Sequence, residues 1–255
     1  MSFFQRIFSS FRPADFGHEK ETPPPTDIVQ VNRDKPPESQ TMTPKVLGEK
    51  LFATALQSAK RDLEDHLPSL GYKPPKEGDP FGELLIMHLF IVKAALQHWR
   101  MGREVKRFGF HDLDLACERW LERQDLSEET IEQFSEIEEI RQGQYSEIYS
   151  LAMNEKISQA HEAMASNLND VFGMIFGKRM DSTDPFDGME AISFFMRAVM
   201  NLEPAILMAL KNVKIECPDN YIVECWRKAF GDDDRVEISQ EDLNINIRIK
   251  DKETF

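Results

Sequence analysis

The chain has 255 residues, 41% hydrophobic and 30% charged, enough for one large or two modest globular domains with a substantial core. Its formal charge of −14 is concentrated: residues 111–190 hold 19 Asp and Glu against 6 Lys and Arg, a field that repels nucleic acid and suits a protein partner with a basic surface. Three cysteines without metal spacing speak against a secreted disulfide framework and fit a cytoplasmic chain.

The opening MSFFQRIFSSF has no apolar core followed by a small-residue cleavage site, so it does not read as a secretory signal. Phe3, Phe4, Ile7, Phe8 and Phe11 recur at helical spacing, with Ser2, Gln5, Arg6, Ser9 and Ser10 opposite. Residues 1–12 are therefore expected to form an amphipathic leader helix. A helix this short is marginal alone and needs a surface: a membrane interface, a partner's groove or the body of the same chain. Residues 13–45 contain Pro23-Pro24-Pro25 and Pro36-Pro37 and few large apolar side chains, which predicts a disordered linker.

Residues 46–230 are expected to be an all-α, irregular multi-helix bundle. Thr43-Pro44, Asp79-Pro80 and Asp184-Pro185 repeat one start signal, a capping side chain followed by a proline that sacrifices no needed donor. The first helix buries Leu47, Leu51, Ala55, Ala59, Leu63 and Leu67, and residues 71–79 form a loop. The second, from about 80 to 99, is apolar on nearly every side and should be central; its most apolar stretch, 84–96, is too short and too polar at His88 and Lys93 to span a bilayer. Arg100, Arg103, Lys106 and Arg107, interleaved with Trp99, Phe108 and Phe110, are expected in a basic loop. Leu113, Ala116, Cys117, Trp120 and Leu121 mark a third helix. Ser127 caps a fourth, which Gly143 separates from a longer one carrying Tyr145, Ile148, Tyr149, Ala152, Leu168, Val171 and Ile175. Helices at about 185–201, 204–213 and 218–230 complete the bundle. The tail, 231–255, changes period: Leu243, Ile245, Ile247 and Ile249 alternate with polar residues, and Val236 to Ile238 can pair with them as a short C-terminal β hairpin.

The acidic residues Asp125, Glu128, Glu129, Glu132, Glu136 and Glu139 fall three and four apart on one helix face, opposite Ile131, Phe134, Ile137 and Ile140. Like charges so spaced cost a few tenths of a kcal/mol per pair, about 0.2–0.5, so the ridge is either a docking strip or a solvated face. Seven methionines between Met164 and Met208, among Phe172, Phe176, Phe186, Phe194 and Phe195, read as an adaptable partner surface or as core padding. His111-Asp112 resembles the metal-binding doublet of HD phosphohydrolases, with His88 as an earlier ligand, which would imply a metal-dependent helical enzyme; Asp112 would equally suit a helix N-terminus.

No dinucleotide fingerprint, phosphate loop, nucleophile elbow or Glu-x-x-His motif occurs, so no cofactor, catalytic or metal-ligating set is assigned. The expected function is a non-enzymatic adaptor or regulatory protein. It would bind a protein partner through the acidic face or the Met/Phe surface, with no nucleic acid, and residues 1–12 would tether it to a membrane surface or an assembly. An acidic inhibitor or immunity-type protein that blocks a basic enzyme surface is the other binding reading.

Overall fold

The structure is a computed structural model that describes residues 40–74, 79–99, 103–124, 126–181, 184–216, 236–241 and 244–249. The leader, the last helix expected at 218–230, Cys217, Cys225, Arg100 and Asp125 lie outside the described residues. The fold is all-α with small β elements.

Strand β1, Gln40–Met42, leads into helix α1, Pro44–Arg61, which continues through a wider π-helical turn, Asp62–His66, and a last α-helical turn, Leu67–Ser69. Helices α2 (Pro80–His98), α3 (Arg103–Glu122), α4 (Glu128–Met153), α5 (Ile157–Asn167), α6 (Asn169–Phe176) and α7 (Pro185–Leu210) follow, then β2 (Val213–Ile215), β3 (Val236–Glu241) and β4 (Asn244–Ile249). The predicted caps form. Thr43 accepts the Val46 N–H at 3.4 Å, Asp79 that of Gly82 at 2.9 Å, Ser127 that of Thr130 at 3.2 Å and Asp184 that of Phe186 at 2.9 Å.

Helix α2 is the axis, touching α1, α3, α4, α6 and α7. Leu84, Leu85, Ile86, Met87, Ile91, Val92, Ala95 and Leu96 are all fully buried, each large side chain contributing about 1.5–3 kcal/mol. Phe90 meets Tyr145, Tyr149 and Phe195, with ring centroids 5.7–6.0 Å apart. A second aromatic cluster joins Phe172, Phe176 and Phe194, with Tyr72 stacked on Phe176 at 4.5 Å.

β3 and β4 pair antiparallel, Val236 opposite Ile249 and Glu241 opposite Asn244, as the alternation predicts. The other sheet was not foreseen. Gln40–Met42, inside the stretch read as linker, pairs in parallel with β2, Gln40 opposite Val213 and Met42 opposite Ile215.

Several helix boundaries differ from the expectation. Gly143 sits inside α4, solvent-facing, and a glycine that only weakens a helix by about 1 kcal/mol does not end it when both flanks are packed. The break falls instead at Glu155, which takes a left-handed φ of 60°. Its N–H reaches the Ala152 carbonyl and that of Lys156 the Leu151 carbonyl, the double bond pattern that closes a helix end, here without the usual glycine. A second interruption at Leu168 separates α5 from α6. Pro204 lies within α7 rather than starting a new helix. Arg103, Lys106 and Arg107, expected in a loop, belong to α3, which puts His111-Asp112 in mid-helix rather than at an N-terminus.

α1 and α3 cross so closely that a Cβ on Gly48 would stand 2.4 Å from the Asp112 carbonyl carbon. The backbone there cannot yield as a flexible side chain would. Gly48→Ala is expected to destabilise the fold by about 1–3 kcal/mol despite alanine's better helix propensity, read as a lower urea midpoint; an unchanged or higher midpoint would refute the tight crossing.

Asp79, only 3% exposed, caps α2 from inside the protein, and burial pushes its carboxyl up to about 8 against the bond from Gly82. The folded chain therefore binds a proton that the unfolded chain releases near pH 4, and stability falls as pH rises from about 4 to 8. Asp79→Asn keeps a capping oxygen and removes the charge, so thermal unfolding of this variant should lose most of that decline.

Candidate binding groove

Both α1 and α7 pack on α2, and between them runs a groove of about 940 Å³. Its floor is apolar, built from Leu47 and Leu51 of α1 and Phe194, Leu202, Ile206 and Leu210 of α7, while Thr54, Ser58 and Asn201 add polar groups to the walls. Ala205 and Ala209 stand exposed at one rim, Lys50, Gln57 and Arg61 at the other. Gln40, Met42 and Val213 of the parallel strand pair close one end. At the other end lies a polar group built around Asp62.

Asp62 begins the π-helical turn, in which the Leu67 N–H reaches back five residues to the Asp62 carbonyl. Such turns insert one residue into the helical register, re-aim side chains and often mark functional sites. One carboxylate oxygen of Asp62 lies 3.3 Å from His66 Nδ1 and the other 2.9 Å from His88 Nε2. His66 stacks on Phe194, ring centroids 5.7 Å apart, and its Nε2 faces Arg197 Nη1 at 3.4 Å. A guanidinium only donates, so Nε2 of His66 accepts and Nδ1–H donates to Asp62. His88, 3% exposed, donates through Nε2, and its Nδ1 has no hydrogen-bond partner among the described residues.

This arrangement suits holding more than proton transfer. His66 Nε2, the nitrogen a general base would use, points at a permanent cation. Arg197 is exposed at the groove's end and can offer its remaining N–H groups to a carboxylate or amide. Sequence reading singled out none of Asp62, His66 or Arg197. The only signal was the Asp-x-x-x-His spacing, which is common on helices; the link to His88 and Arg197 spans 26 and 131 positions.

The residues singled out from sequence are distributed as follows. Glu128, Glu129, Glu132, Glu136 and Glu139 are exposed on α4, and no ion pair within 4 Å is made by them among the described residues. Phe134 is buried behind them, whereas Ile140, expected on the inner face, is 59% exposed. The Met/Phe segment divides: Met164, Met180, Phe172, Phe176, Phe194 and Phe195 are core, while Phe186, Met189, Met200 and Met208 are exposed on α7. His88 joins Asp62 rather than the His111-Asp112 doublet, and Asp112 lies buried where α3 crosses α1 at Gly48. Among the described residues no group of three His, Cys, Asp or Glu is placed to hold a metal ion.

Asp62→Ala would strand a buried imidazole, and urea unfolding should show a loss of about 1–3 kcal/mol. His66→Ala should lose under about 1 kcal/mol, because the His66 side chain is 28% exposed and water can replace it. Equal losses would contradict the assignment of Asp62 as the shared acceptor.

No protein-family model matches this chain, and no match to it was found among curated proteins or solved structures, so the reading of the groove rests on its own geometry.

Proposed function

We propose that the chain is a non-enzymatic helical adaptor or regulatory protein whose α1–α7 groove takes the apolar face of an amphipathic helix from a protein partner. The observation that carries this reading is the gap itself. Two helices anchored on the same axis leave a gap between them, floored by apolar side chains and rimmed by the exposed Ala205 and Ala209, which let another helix come close. A groove with an apolar floor and polar groups along its rim and end matches the way such helices are held.

Two further surfaces support a protein partner. Helix α7 is long and apolar enough to cross a membrane by length and composition, yet that stretch is only 39% buried, against 83% for α2. Its exposed Phe186, Met189, Met200 and Met208 extend the groove's apolar character onto the outer face, where unbranched thioethers adapt to different side chains. The exposed acidic ridge of α4 steers a basic partner during encounter. In this reading the protein is cytoplasmic, and residues 1–12 tether it peripherally to a membrane surface or an assembly.

A fluorescein-labelled, helix-forming peptide with leucine on one face and lysine on the other is a suitable probe. Fluorescence anisotropy should show saturable binding that Ala205→Arg with Ala209→Arg weakens at least ten-fold, circular dichroism being unchanged. Glu128→Lys with Glu132→Lys and Glu136→Lys should slow association at low salt by about ten-fold while dissociation stays the same. Equal affinity in the groove variant and the parent chain would remove the proposal.

A further inference from the structure

We infer that in the partner-free chain the groove is occupied by the protein's own residues 3–11, folded as a helix. The inference rests on the reading of the groove as a helix-binding surface and adds its resident occupant.

Three observations favour this occupant. First, the N-terminal segment reaches the bundle at the groove itself: Gln40 and Met42, the first described residues, line its end and are held there by pairing with Val213 and Ile215. Second, the tether is long enough. The stretch 13–39 has a root-mean-square reach of roughly 30 Å as a flexible chain, while the groove wall from Leu47 to Ser69 is about 33 Å long.

Third, size and pattern agree. A nine-residue helix about 14 Å long and 10 Å across fills on the order of 1,100 Å³, so a groove of about 940 Å³ takes most of it and leaves one side outside. Phe3, Phe4, Ile7, Phe8 and Phe11 supply the inward side, and Ser2 and Ser9 lie opposite.

Tethering makes weak contacts sufficient. Covalent connection through such a linker gives an effective concentration in the millimolar range, so a segment of only modest intrinsic affinity stays seated. Docking also supplies the surface that an isolated short helix lacks. A partner helix that takes the groove therefore displaces residues 3–11 and frees their aromatic side chains for the tethering role.

The test uses the full chain with the photoreactive amino acid p-benzoylphenylalanine replacing Phe8. Irradiation at low micromolar concentration should give intramolecular cross-links that mass spectrometry maps to α1 and α7 residues of the groove, such as Leu51, Thr54 and Ile206. The yield should fall at least five-fold in Ala205→Arg, or in Ala209→Glu should the first variant fail to fold. Cross-links confined to other surfaces, links between two copies, or a yield indifferent to both groove variants would overturn the inference. A second readout separates it from the function proposed above. If the leader occupies the groove, Phe4→Asp with Phe8→Asp raises affinity for the leucine/lysine peptide at least ten-fold. If the peptide binds neither form but the cross-links fall in the groove, the partner reading fails and the leader's seat stands.

Discussion

The bundle depends on how one apolar helix carries its few polar groups. Glu83, His88, Lys93 and His98 sit five residues apart on α2, and five residues turn a helix by about 140°, so they point in four directions. Each meets a partner on a neighbouring helix. Glu83 accepts two hydrogen bonds from the Arg141 guanidinium of α4, both at 3.1 Å. His88 meets Asp62 of α1 at 2.9 Å. Lys93 bridges Asp114 of α3 at 2.9 Å and Glu138 of α4 at 2.8 Å. His98 reaches Glu203 of α7 at 2.6 Å. Burial alone would let any amphipathic helix settle on any side of α2. An unpartnered charge or polar group in that interior is costly, so the buried Glu83 and His88 and the largely buried Lys93 fix which groups face them, while the exposed His98 adds a weaker tie to α7. The directions of the proton affinities agree: burial raises the Glu83 carboxyl against its guanidinium partner, while burial works against the Lys93 charge and the two carboxylates outweigh it.

The groove follows from this arrangement. α1 is tied to α2 through Asp62 and to α3 through the close crossing at Gly48, while α7 is tied through Glu203 and through α5, where Gly188 lies against His161. Anchored from their far sides, α1 and α7 are not drawn over the space between them. The parallel strand pair spans it at one end and the Asp62 group at the other. A π-helical turn at that point makes sense in the same terms. It re-aims the end of α1 so that one carboxylate serves a buried imidazole behind it and a half-exposed one in front. The apolar floor left between two such fixed walls invites a helix, and the exposed residues of α7 widen the invitation.

Much of the bundle was legible in the chain because period and punctuation are local. The cap-proline starts, the apolar stripe of α1, the all-round apolar α2 and the alternating tail strands each lie within a few turns of sequence, and each formed. The misreadings came from signals that packing overruled. Gly143 is a weak helix position that flanking contacts hold in α4; Glu155 adopts a left-handed backbone with no glycine to advertise it; Pro204 sits inside α7 on a solvent-facing side. The Met/Phe segment could not be assigned to core or surface because α7 has both, on opposite sides of one helix.

What the amino-acid order determines by itself is thus the helical class, the central helix and most of the caps, since each depends on side chains within reach along a single helix, together with the segregation of negative charge onto residues 111–190, a property of the order itself. The groove, the pairing of Gln40–Met42 with Val213–Ile215, and the Asp62, His66, His88 and Arg197 group belong to the tertiary structure alone. Their partners are separated by tens to more than a hundred positions. A carboxylate or imidazole carries no mark of which distant group it will meet until the helices that bear them have been placed.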